Sequence, residues 1–253
     1  MFTRAIVKRP CRNMINGLRK DKSLVPDYKT AMKQHDAYIS VLEKCGLMVD
    51  ILDESPEFPD STFIEDTAVL TPCCAVITNP GTESRKEEAK EAKKALSKYY
   101  NSIYSIHDPG TLDGGDIMIT RDRCYIGLSC RTNQEGALQL KQILEKYSIE
   151  SYFVPVKKSL HLKTSVNFLD HNTLVLTAEF MDNPLFSKYR KIFIDENESY
   201  AANSLSINGK VIVPAGFLST LDRINHAGYK TLVADVSEYR KLDGGLSCLS
   251  LRF

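Results

Sequence analysis

The chain has 253 residues, 43% of them hydrophobic and 26% charged, with a formal net charge of +1. Such a balance describes an ordinary water-soluble globular protein and gives no polyelectrolyte signal, so no nucleic-acid partner is expected. The longest apolar runs are under ten residues, too short to span a bilayer, so no membrane partner is expected either. Met1-Phe2-Thr3-Arg4 leads straight into Ala5-Ile6-Val7 without a signal-peptide pattern, which places the chain in the cytoplasm. Seven scattered cysteines with no C-x-x-C pair argue against a disulfide framework and a structural zinc site.

Residues 3–8 read as a strand, followed by a polar loop from Pro10 to Pro26 that holds Gly17 and Leu18. Tyr28, Met32, His35, Tyr38, Ile39 and Leu42 recur at helical spacing over 27–45, and Cys45-Gly46 ends that helix before a strand at 47–52. The same strand–helix–strand unit recurs four times. Its members are 75–78, 83–100 and 102–106; then 123–127, 133–147 with Asn133 as N-cap, and 151–156. They continue as 173–176, a short helix near 183–189 and 191–194; then 210–213, a helix near 218–227 and 231–234.

Between units lies a loop with one further strand: 63–69, 112–118, 160–166, 200–205 and 244–249. Their polar residues Asp66, Asp113, His161, Asn203 and Cys248 are separated by 47, 48, 42 and 45 positions. Leu-Asp-Gly-Gly occurs twice, at 112–115 and 242–245. A steady period near 45 residues marks repeated supersecondary units. The expected architecture is an α/β five-bladed propeller of ββαβ units with pseudo-fivefold symmetry. Residues 1–253 then form a single catalytic domain, its ring closed by the N-terminal strand–helix unit pairing with a C-terminal strand that carries Cys248. The five polar residues converge on the axis.

Taken alone, Cys248 reads as a small buried hydrophobe, His161 as a core histidine and Asp113 as a turn residue. At equivalent places in a repeat they read as catalytic. A cysteine thiolate is a nucleophile, a histidine serves as general acid and then general base, and a carboxylate fixes the histidine's tautomer. Asp60, Glu65 and Asp66 add negative charge at one rim, which suits a planar guanidinium gripped through bidentate hydrogen bonds. Arg85 and Arg131 suit the carboxylate of an amino acid, although an isolated arginine is ordinarily a surface residue.

The segments Phe-Ile-Glu-Asp-Thr-Ala-Val, Leu-Asp-Gly-Gly-Asp, Leu-His-Leu-Lys-Thr, Val-Pro-Ala-Gly-Phe and the tail Asp-Gly-Gly-Leu-Ser-Cys-Leu-Ser-Leu-Arg-Phe resemble dimethylarginine dimethylaminohydrolase, of the guanidine-modifying or pentein superfamily. The resemblance covers nearly the whole chain in order. It implies the five-bladed fold, no cofactor and no metal requirement, although some members bind an inhibitory zinc at the cysteine. It implies Cys248 as nucleophile, His161 as acid–base and Asp113 as its acidic partner, with Asp116 the other carboxylate of the same turn. Asp66 grips the guanidinium with Asp60 and the backbone of Glu65. Arg85 and Arg131 hold the amino-acid end, Leu18 matches the lid residue, and Leu242 contacts the substrate through its backbone. The implied partner is a small molecule, methylated arginine, hydrolysed to citrulline and a methylamine through a covalent thiouronium; a homodimer is compatible with the reading. Arginine deiminases share the constellation but carry an inserted helical region. The ribosome anti-association factor shares the fold without the Cys/His pair.

Overall fold

The computed structural model describes residues 1–121 and 123–253. The chain forms two compact units, one of Met1–Phe63 with Val166–Phe253 and one of Ile64–Ser165.

The first unit holds three sheets. Arg4–Lys8 is the middle strand of one, parallel to Met48–Leu52 and antiparallel to Leu251–Arg252. Thr173–Leu176 lies between Val166–Asp170 and Arg190–Phe193. Lys210–Pro214 lies between Leu205–Ile207 and Lys230–Ala234. The second unit holds two more: Ala75–Ile77 between Ala68–Leu70 and Ile103–Ser105, and Arg123–Leu128 between Ile117–Ile119 and Glu150–Pro155. In every sheet the middle strand runs antiparallel to the linking strand and parallel to the strand beyond the crossover. Middle strands covered on both faces should be near-continuously apolar. Ala75–Ile77, Thr173–Leu176 and Val211–Val213 are accordingly buried throughout.

The helix Tyr28–Lys44 starts where the Asp27 carboxylate accepts the Thr30 N–H at 2.8 Å and stops before Gly46, which adopts φ +88°. Its apolar stripe of Ala31, Tyr38, Ile39 and Leu42 builds the core with Leu205, Ile212, Tyr239 and Leu246. In the second unit, Asn133 caps Gln134–Glu145 as expected, accepting from Gly136 N at 2.8 Å. That helix packs Ala137, Leu140 and Leu144 against Val76, Cys124 and Ile126.

Three expected elements differ. The helix expected over 83–100 is a 3-10 turn at Glu83–Arg85 followed by an α-helix only at Glu88–Leu96, because Arg85 is drawn inward onto two carboxylates. The short helix near 183–189 is a single 3-10 turn, Pro184–Phe186, capped by Asn183. Cys248 does not lie on a strand. It sits in the 3-10 turn Ser247–Leu249, its N–H bonded to the Gly245 carbonyl at 3.2 Å, and the strand begins only at Leu251.

Candidate active site

In the second unit the site residues stand on three of the linking segments. Glu65 and Asp66 belong to the 3-10 turn Ile64–Thr67, pinned where the Thr67 hydroxyl donates to the Ile64 carbonyl and the Thr78 hydroxyl to the Asp66 carbonyl. Asp113 precedes the turn Gly114–Asp116, and His161 precedes the helical turn Leu162–Ser165.

Asp113 is fully buried, and its Oδ2 lies 3.0 Å from His161 Nε2 while its Oδ1 accepts the Gly81 N–H at 2.8 Å. Asp116 is committed elsewhere. Its Oδ2 accepts from the Ser129 and Thr132 hydroxyls at 2.6 and 2.7 Å, and its Oδ1 accepts the Leu162 N–H at 2.9 Å. Of the two carboxylates in the turn, Asp113 therefore meets the imidazole, and Asp116 fixes the backbone that follows it. Thr132 joins the two, since its hydroxyl also accepts the Asp113 N–H at 3.1 Å. Asp66 faces the same histidine: its Oδ1 accepts the Gly115 N–H at 2.9 Å. A Cβ on Gly115 would lie 2.7 Å from His161 Nδ1 and 2.9 Å from Asp66 Oδ1, so only glycine fits there.

Electrostatics follow from this crowding. Burial opposes charge on His161, but the Asp66 carboxylate, the hydrogen bond to Asp113 and the charges of Asp116 and Asp113 outweigh it and hold the imidazolium up to about 9. Burial would raise Asp113, yet its hydrogen bond to His161, with the His161 and Arg85 charges, keeps it below the usual carboxylate range. Burial dominates at Asp116 and pushes it up. Near neutrality His161 is a charged acid beside an ionised Asp113.

Arg85 is 4% exposed. Its Nη1 donates to Asp66 Oδ2 at 2.6 Å, and its Nε and Nη2 donate to Glu88 Oε2 at 3.0 and 2.8 Å. The sequence reading missed Glu88, an ordinary acid in a charged helix. Arg131 keeps 18% of its side chain exposed, 4.0 Å from Asp113. Lys163, conspicuous only as part of Leu-His-Leu-Lys, pairs with Glu65 Oε1 at 2.6 Å. Oxygens of Asp66 and Asp113 and a ring nitrogen of His161 lie within 4.8 Å of one another, a spacing a cation would accept. The His161 proton and the Arg85 guanidinium already occupy the same lone pairs, so the donor set suits an imidazolium network better than a metal.

The first unit gathers Leu18, Asp60 and Leu242. Asp60 Oδ1 accepts the Leu18 N–H at 2.9 Å, and a Cβ on Gly17 would meet that oxygen at 2.8 Å and Leu242 Cδ2 at 3.4 Å. Cys248 is partly exposed in the C-terminal turn, and its sulfur accepts the Gly245 N–H at 3.3 Å. Among the described residues no cysteine is bridged. Burial raises the thiols of Cys11, Cys45 and Cys74 and pushes Cys124 up to about 12, which leaves them inert.

The family profile described as N,N dimethylarginine dimethylhydrolase, eukaryotic, matches residues 12–214. A dimethylarginine dimethylaminohydrolase of Pseudomonas aeruginosa is 44% identical over 254 residues, covering 100% of both chains. One from Streptomyces coelicolor is 33% identical and covers 98% of this chain and 96% of its own length. A cysteine-to-serine variant of the Pseudomonas aeruginosa enzyme, complexed with citrulline, matches with a TM-score of 0.98 at 43% identity, covering 100% of both chains. The N-terminal domain of a cyanobacterial arginine dihydrolase matches with a TM-score of 0.90 at 16% identity over 98% of this chain and 96% of its own, a likeness of fold. Five three-stranded sheets with this strand order thus define an α/β propeller of the pentein class. Within that class, the chain belongs to the dimethylarginine dimethylaminohydrolase family.

Proposed function

We propose that the chain hydrolyses N-omega-methylated arginine to citrulline and dimethylamine or methylamine, with residues 1–253 acting as one catalytic domain. The observation that carries the reading is the His161–Asp113 pair, held as a buried imidazolium beside Asp66, in a chain 44% identical throughout to a dimethylarginine dimethylaminohydrolase. The Cys248 thiolate attacks the guanidinium carbon, and its electron pair forms the C–S bond. His161 gives its proton to the departing amine nitrogen as the C–N bond breaks, leaving a thiouronium on Cys248. Neutral His161 then takes a proton from water, whose oxygen attacks the same carbon. The hydroxyl proton passes to solvent as the carbonyl forms and the C–S bond breaks, citrulline leaves and the thiolate returns. A related histidine-to-glycine variant forms an adduct with S-methyl-L-thiocitrulline, in keeping with this two-step course.

Asp66 and Asp60 take the guanidinium with the backbone of Glu65. Arg131, whose head is partly exposed, and Arg85, held in place by Glu88, supply positive charge for the substrate carboxylate. Leu18 serves as the lid residue, and the backbone of Leu242 contacts the substrate. Unbridged thiols fit a reducing cytoplasm. The test is kcat/KM for arginine, monomethylarginine and asymmetric dimethylarginine under one set of conditions. Charge recognition cannot discriminate among them, and a buried methyl is worth about tenfold, so arginine should be a detectable but poorer substrate. Arginine as the best of the three by about tenfold would replace this reading with a deiminase.

A further inference from the structure

Tyr200 and Asn203 stand at the end of one short segment, the 3-10 turn Glu196–Ala202 with Asn203 as its C-cap, and both reach the turn that carries Cys248. The Tyr200 hydroxyl donates to the Gly244 carbonyl at 2.8 Å. Asn203 Oδ1 accepts the Ser247 N–H at 2.9 Å, and its Nδ2 donates to Ser247 Oγ at 3.0 Å. These bonds fall on either side of Gly245, whose N–H points at the Cys248 sulfur. Gly245 is pressed against Asn203 so closely that a Cβ would lie 2.4 Å from Oδ1.

The tyrosine is itself anchored. The Arg240 guanidinium carbon lies 4.9 Å from the Tyr200 ring centroid and 5.2 Å from that of Phe217, and the two rings are 5.5 Å apart. Burial, then the charge of Cys248, pushes the Tyr200 phenol up, so the hydroxyl remains a donor to Gly244. A backbone N–H serves the sulfur only while the turn cannot rotate that N–H away. Its bond is stronger to a thiolate than to a thiol.

We propose that Asn203, assisted by Tyr200, is a positioning residue for Cys248, holding the Gly245 N–H on the sulfur and so setting how much of the thiol is present as thiolate. The inference rests on Cys248 being the nucleophile. If Asn203 merely stabilised the turn, its loss would lower the melting temperature without touching the sulfur's titration.

The experiment alkylates the folded protein with iodoacetamide from pH 5 to 10 and follows the Cys248 peptide by mass spectrometry, with exposed Cys73 and Cys130 as internal references. It is run on the parent, Asn203→Leu and Tyr200→Phe, and kcat and KM for asymmetric dimethylarginine are measured on each. Asn203→Leu should move the Cys248 midpoint upward by about one pH unit and lower kcat near neutrality about tenfold, with KM changed by less than about threefold. Tyr200→Phe, which removes one hydroxyl and keeps the ring, should shift both in the same direction by less. Midpoints and kcat equal to the parent's overturn the proposal, whatever happens to the melting temperature. If Asn203→Leu does not fold, Tyr200→Phe decides alone. Cys248→Ala separates the two readings: turnover by that variant removes the nucleophile assignment itself, whereas a dead Cys248→Ala with silent Asn203 and Tyr200 variants overturns only this inference.

Discussion

A histidine buried among three carboxylates keeps its proton where an exposed one would lose it. His161 does so because Asp66, Asp113 and Asp116 outweigh the cost of burying its charge. Asp113→Asn keeps the size of the partner and removes its charge, so the imidazolium should fall back from about 9 towards the ordinary histidine range. The alkaline limb of the kcat profile should then move to lower pH, and kcat near pH 7.5 should drop on the order of a hundredfold. An alkaline limb that stays in place would mean that another group protonates the leaving amine. At this scale the sequence was partly legible. Equivalent places in a repeat singled out Asp66, Asp113 and His161. The choice between Asp113 and Asp116 was not legible, because Asp-Gly-Gly-Asp offers two carboxylates and only their partners, His161 for one and Ser129, Thr132 and Leu162 for the other, separate them.

Each segment between the repeated units begins with a helical turn and ends in a short strand, as in Ile64–Thr67 before Ala68–Leu70 and Ser247–Leu249 before Leu251–Arg252. Hydrophobic periodicity finds the strands but not the turns, most of which span only three or four residues, too few for a helical pattern to repeat. That is why Cys248 read as a strand residue. The sequence did announce the paired glycines; the reason for the second of each pair, the close approach of His161 to Gly115 and of Asn203 to Gly245, lies in residues tens of positions away. The stretch after the first strand is tethered at several points: Met14 is buried, Leu18 N–H rests on Asp60 and Lys20 N–H on Asp243 at 2.7 Å, while residues 20–25 are exposed. Such segments order on ligand binding. Deuterium uptake over 17–25 should fall at saturating citrulline while the helix Tyr28–Lys44 stays unchanged. Equal uptake with and without citrulline would remove the lid role of Leu18.

For the whole molecule, two histidines set opposite slopes of stability with pH. His35 is fully buried, and burial, with the Arg9 charge, lowers it to about 4. Between 6.5 and about 4 the unfolded chain binds a proton the folded chain refuses, so stability falls as pH drops through that window. His161 is raised, so between 6.5 and about 9 the folded chain keeps a proton the unfolded one releases, and stability falls as pH rises. Each effect is on the order of 3 kcal/mol at the far end of its window. Urea midpoints from pH 4 to 9 should peak near 6.5. His35→Leu should flatten the acid side and His161→Asn the alkaline side; a parent maximum above pH 8 would contradict the His161 assignment. Urea is the denaturant of choice because of Arg85, whose guanidinium rests on Asp66 at 2.6 Å. The grip on a substrate guanidinium proposed for Asp66 and Asp60 would extend to the free ion. Dilute guanidinium chloride is then expected to bind the native state and stabilise it by mass action before higher concentrations unfold it. A linear extrapolation from that salt reports the stability of a liganded protein, whereas urea, being uncharged, does not compete for the carboxylates.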